Sequence, residues 1–166
     1  MLYWPKSNIS SPRIRRCYEV PEYCADDSGS WKGDVLDKQE LAEMYWGFLA
    51  EQGYVPKIDD DGDVHFKFEG GDYFILIDEE DESYFRLAYP AFWPIENEEE
   101  RIAATISAAA ATAEVKVAKV YLLRDNTWAA VEMFCSPPEV FQAVFKRSLH
   151  AIQAAVECFR RTMTEA

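Results

Sequence analysis

Apolar residues change their spacing several times along this chain, and the order of those changes predicts an architecture. Leu41, Met44, Tyr45, Phe48 and Leu49 recur at i, i+3, i+4 and predict a helix near residues 37–52. Asp37 can cap it, Glu40 completes a capping box, and Leu36 with Leu41 forms a hydrophobic staple. Gly53 supplies a left-handed stop. Strand-like spacing follows from about 54 to 89. Val64, Phe66 and Phe68 alternate with His65, Lys67 and Glu69, which marks a half-buried strand. Gly70-Gly71 is a hairpin signal. Residues 72–77 are mostly apolar on both parities, so that strand is expected inside the sheet, and 83–89 returns as a third. Pro90 and Pro94 are expected to end the meander.

A second helix is predicted over 97–113. Asn97 caps it, Glu98, Glu99 and Glu100 suit the positive end of its dipole, and its alanines favour helix. Residues 115–123 and 127–135 read as a hairpin that turns at Arg124-Asp125-Asn126. In its second strand Trp128, Ala130, Glu132 and Phe134 share one parity, and Ala129, Val131, Met133 and Cys135 share the other. Ser136 is expected to cap a long last helix with Pro137 at its first position. The reading is α+β, an antiparallel five-stranded sheet with helices mainly on one face, in the order α-β-β-β-α-β-β-α. Residues 34–166 form the expected domain. Residues 1–33 lack either period and carry Lys6, Arg13, Arg15, Arg16 and Lys32, so they are expected to be a loosely ordered arm.

Composition narrows the function classes. A chain of 166 residues suits one domain, and nearly half of it is hydrophobic. The formal net charge of −13 repels phosphate backbones and anionic lipids, so neither nucleic acid nor membrane is an expected partner. The first residues lack the apolar core of a signal peptide, and no apolar run approaches a membrane span. Cys17, Cys24, Cys135 and Cys158 fall outside zinc spacing and read as reduced thiols, which points to the cytoplasm.

Specific chemistry is thin. The run Asp59 to Asp63 has Gly62 in the fourth place and Gly70 in the twelfth, which fails the calcium-loop pattern. It reads as a solvated turn, as does Asp78 to Glu82. His65 falls on the polar side of its strand. His150 and Cys158 stand two turns apart on one predicted helix, too far for a nucleophile pair. No catalytic residue, cofactor or metal ligand is assigned.

Aromatic residues remain. Phe92-Trp93 lies between two prolines, and Trp128, Ala130 and Phe134 fall on the parity left for the sheet's second face. Helices on one side leave that face in need of a cover. Phe92, Trp93, Trp128, Ala130 and Phe134 are therefore the candidate partner-binding residues.

Gly53-Tyr54, Asp61-Gly62-Asp63-Val64, the stretch Phe74 to Asp81, Tyr84-Phe85-Arg86-Leu87 and Asn97 before an Ala-rich helix resemble the bacterial YbjN-like proteins. Those proteins are often labelled sensory transduction regulators, and their fold is similar to that of class I type III secretion chaperones. The resemblance spans about residues 36–163. It implies a homodimer, protein–protein interaction, no catalytic residue and no cofactor. The expectation is a non-enzymatic, homodimeric protein-binding module, a regulator or chaperone. The alternative is a small-molecule or ion sensor with a pocket between helix and sheet.

Overall fold

A computed structural model describes residues 36–165. The arm expected over 1–33 lies outside the described residues, as do Cys17 and Cys24. Three helices and an antiparallel sheet make an α+β fold. The elements run α1 (Lys38–Glu51), β1 (Lys57–Ile58), β2 (Val64–Phe68), β3 (Gly71–Ile75), β4 (Tyr84–Pro94), α2 (Glu98–Glu114), β5 (Ala118–Leu123), β6 (Asn126–Phe134) and α3 (Phe141–Glu165).

The sheet has six strands, one more than the alternation predicts, in the order β1-β2-β3-β4-β6-β5. The extra strand is Lys57–Ile58, paired with His65 and Val64. Two residues are too few to show a period of two, so only the pairing partner reveals it.

Local chemistry explains most boundaries. Asp37 accepts from the Glu40 amide at 2.9 Å, and Glu40 accepts from the Asp37 amide at 2.9 Å, which closes the capping box of α1. Gly53 follows that helix at φ +86°. The β2–β3 turn is Glu69-Gly70, one residue earlier than expected, with both residues at positive φ. Such a turn matches the right-handed strand twist. Gly71 instead begins β3, and a Cβ there would meet the rings of Tyr73 and Tyr89 at 3.0 Å. Strand β4 does not stop at Pro90. A register shift between Tyr89 and Trp93, with Ala91 at φ 49°, absorbs the proline as a bulge.

Ser136 does not cap the last helix. Pro137 holds Ser136 away from helical geometry, and a short 3-10 turn at Pro138–Val140 comes before α3 without a side-chain cap.

One parity of each strand builds the core. Val64, Phe66, Tyr73, Ile75, Phe85, Leu87, Val120, Ala129 and Val131 are buried. They join Tyr45 and Leu49 of α1 and Phe141, Phe145, Leu149, Ile152 and Phe159 of α3 in one cluster. Phe141 meets Tyr45 and Phe48 edge-on at 4.7 and 4.9 Å, a favoured aromatic arrangement. Ala104, Ser107, Ala108 and Ala111 are the buried residues of α2, and their small size lets it lie against α3 and β5.

Strand β5 is a sheet edge, and α2 is tied to it. The Thr112 hydroxyl accepts from the Val120 amide at 2.9 Å and lies 3.3 Å from the Val120 carbonyl, to which it donates. Arg101 ties the same helix to the β5–β6 turn through the Arg124 carbonyl and Asp125. Among the described residues no helix is long and apolar enough to cross a membrane.

Candidate functional site

The opposite parity of the strands forms the second face. Register places Phe74 beside Ala88, Ala88 beside Ala130 and Ala130 beside Lys119 in one row across the sheet. Arg86 and Glu132 form the next row, then Tyr84 and Phe134; on the other side lies Trp128 with Tyr121. Among the described residues, the strand positions that pack with the helices belong to the other parity.

A polar lattice covers the middle of this face. Glu132 accepts from Tyr84 Oη at 2.5 Å and from Lys119 Nζ, and its Oε1 lies 3.1 Å from Arg86 Nε. Arg86 Nη2 then donates to Tyr121 Oη at 2.9 Å. Arg86 and Tyr121 stand two strands and four positions apart, roughly 16 Å between Cα atoms by strand spacing and rise. Their side chains meet midway, over Ala130. That accounts for the complete burial of Ala130 on a face that no described helix covers.

Burial alone would raise the Glu132 carboxyl, but hydrogen bonds from Lys119 and Tyr84 and the Arg86 charge bring it below the usual carboxylate range. Burial raises the Tyr84 phenol, and its bond to Glu132 raises it further. Burial opposes the Arg86 charge, while Tyr121 and Glu132 hold it in place. Glu132 and Arg86 thus carry opposite charges at neutral pH, and Arg86 Nε faces Glu132 as an ion pair without hydrogen-bond geometry.

The five expected contact residues separate into two groups. Trp128, Ala130 and Phe134 do share the second face. Phe134 is 76% exposed, with its ring 5.9 Å from Tyr84. Trp128 is half-buried, with its ring 6.4 Å from Tyr121. Ala130 lies beneath Arg86 and Tyr121 and has no surface of its own. Phe92 and Trp93 lie elsewhere. Phe92 is buried, edge-on to Phe159 at 5.2 Å. Trp93 pairs with Thr127 on the core side, packs on Phe159 and donates to Glu100 Oε1 at 2.9 Å. The bulge before Trp93 turns this segment toward α3.

The acidic turns satisfy their own backbones. Asp59 accepts from the amides of Asp61 and Asp63, each at 3.0 Å. Asp63 accepts from the Ile77 amide at 2.8 Å and so joins this turn to the end of β3. Burial raises the Asp63 carboxyl, and Asp59 and Asp61 add to that, against the Ile77 amide and Lys38. Among the described residues no group of three or more His, Cys, Asp or Glu is arranged to hold a metal. His65 lies 2.7 Å from Asp72 Oδ1 and packs on Phe74. Cys158 is buried, with its thiol 3.3 Å from Glu114 Oε2, and His150 is exposed.

Two further features lie at α2. Ile102 and Ile106 are 57% and 62% exposed. An open groove of about 550 Å³ runs between α2 and β5, lined by Thr105, Ala109, Thr112, Val120 and Leu122 among others. No protein-family model matches the chain, and no curated protein matches it.

Proposed function

We propose that the protein is a non-enzymatic, homodimeric protein-binding module, a regulator or chaperone of the kind its resemblance to YbjN-like proteins implies. One observation carries this reading: the second face of the sheet, free of described helices, ends in an exposed Phe134 beside Tyr84, with Trp128 farther along the same strand. Apolar groups of that size on a face that no described helix covers favour docking of another polypeptide. The net charge disfavours nucleic acid as that partner. Exposed Ile102 and Ile106, with small alanines farther along the same helix, support self-association through α2, since small residues permit close approach of a second copy.

The rival reading, a small-molecule sensor, rests on the groove between α2 and β5. Light scattering on the wild type and on Ile102→Asp/Ile106→Asp tests the dimer. Wild type is expected at twice the monomer mass and the variant at the monomer mass. A wild type that stays monomeric at every accessible concentration would refute the homodimer. Stabilisation of that monomer against heat by a single metabolite would favour the sensor.

A further inference from the structure

We infer that the groove between α2 and β5 seats Ile102 and Ile106 of a second copy, with the two α2 helices running antiparallel. This rests on the homodimer of the proposed function and names what fills the groove, and in which direction.

Helix periodicity sets the seam. On one side α2 buries Ala104, Ser107, Ala108 and Ala111. Ile102, Ile106, Ala109 and Ala113 recur at spacings of four, three and four on the other side, and all four are exposed. The first half of that stripe projects isoleucines. The second half is alanine, and Ala109 and Ala113 line the groove. One patch thus carries both the knobs and the hole. A two-fold interface asks for that, because the same patch must fit itself. With the helices antiparallel and the axis level with the Ser107–Ala108 bond, Ile106 faces the second copy's alanine at 109, and Ile102 faces the one at 113. A parallel pair would set isoleucine on isoleucine and leave both grooves open. A small apolar metabolite would fill the groove but leave Ile102 and Ile106 in water.

Charge selects the same direction. The first turn of α2 carries Glu98, Glu99 and Glu100, and Lys116 follows the last turn. Glu98 lies 3.7 Å from Arg101, Glu100 accepts from Trp93, and Glu114 is held by Arg161 at 3.0 Å. Glu99 and Lys116 are exposed, and neither has an ion-pair partner among the described residues. The register that sets Ile106 on alanine also sets Glu99 against Lys116 of the other copy, once on each side of the axis. Antiparallel helices also bring opposite dipole ends together. A parallel pair would bring the glutamates of both copies side by side.

Sedimentation of the full-length protein over a range of concentrations tests the inference. Glu99→Lys alone and Lys116→Glu alone each turn two attractive pairs into repulsive ones, and each is expected to raise the dimer dissociation constant about tenfold. In an equal mixture of the two variants every introduced charge faces its opposite, so dimers are expected to return to near the wild-type constant. Ala109→Trp fills the groove while keeping both isoleucines, and it is expected to weaken the dimer at least tenfold. All three positions are exposed, and an unchanged circular dichroism spectrum verifies that the variants fold. A wild type that dimerises while all three variants match it would overturn the groove seat and leave the homodimer standing. A tighter dimer in Glu99→Lys would show parallel helices and overturn the inference as well. A wild type that stays monomeric would overturn both readings.

Discussion

The two faces of one sheet are built by opposite means. Toward the helices, rings and branched side chains interlock with no solvent between them. Away from the helices, a carboxylate, a guanidinium, an ammonium and two phenols hold one another across three strands, over a pair of alanines. The first face derives its stability from removing apolar area from water. The second is held together by directed polar bonds, and its apolar groups sit at the margin. A sheet therefore does not need a second hydrophobic layer to be ordered on both sides. Side chains that bond one another across strands supply the order there.

The sharpest way to break the contrast is to delete a ring from each face. Phe85→Ala is expected to cost about 3–5 kcal/mol, because it leaves a cavity in a core that cannot collapse to fill it. Phe134→Ala is expected to stay within about 0.5 kcal/mol. Denaturant unfolding of the two variants makes the comparison. Equal losses would mean that the second face is as tightly packed as the first.

A smaller effect probes the roof over Ala130. Ala130→Leu would drive its side chain into the Arg86–Tyr121 bond, and a loss of about 2–3 kcal/mol is expected from overpacking. A loss near zero in the same unfolding measurement would show that the bond does not close over that residue.

A third, weaker effect within the lattice is electrostatic. Glu132→Gln removes the charge that Arg86 and Lys119 share, with an expected loss of about 1–2 kcal/mol near neutral pH. The Glu132 carboxyl is held below its ordinary range, so its contribution is present above the unfolded carboxylate value of about 4.3. That contribution disappears as pH falls through the lower folded value. The gap between wild type and variant should therefore close in acid. Asp63 works with the opposite sign: its raised carboxyl favours the folded state more as pH falls, equally in both proteins. Unfolding at about pH 7 and about pH 3 separates the two. A gap that widened in acid would contradict the assigned role of Glu132.

How much of this is legible in the sequence depends on distance along the chain. The capping box at Asp37 and Glu40 spans three residues and can be read directly. The parity of Trp128, Ala130 and Phe134 follows from a period of two within one strand, and the structure keeps it. Strand β1 is too short to show any period. Phe92 and Trp93, between two prolines, read as candidate contact residues, but a bulge at Ala91 turns them onto α3. The polar lattice is not legible within any one segment. Arg86 and Tyr121 are 35 residues apart, and Tyr84 and Glu132 are 48 apart. Only the register of β4, β6 and β5 brings them together. Two signals pointed that way: opposite charges at 86 and 132, each sharing a parity with a small residue two positions away.

The Thr112 hydroxyl on the margin of β5 carries a consequence for crowding. A strand from a neighbouring molecule zips onto an open sheet only if it finds an unbroken row of donors and acceptors. Here the middle rung of that edge is already taken from within, so strand addition along β5 is interrupted at Val120. A second copy that meets this edge does so through side chains.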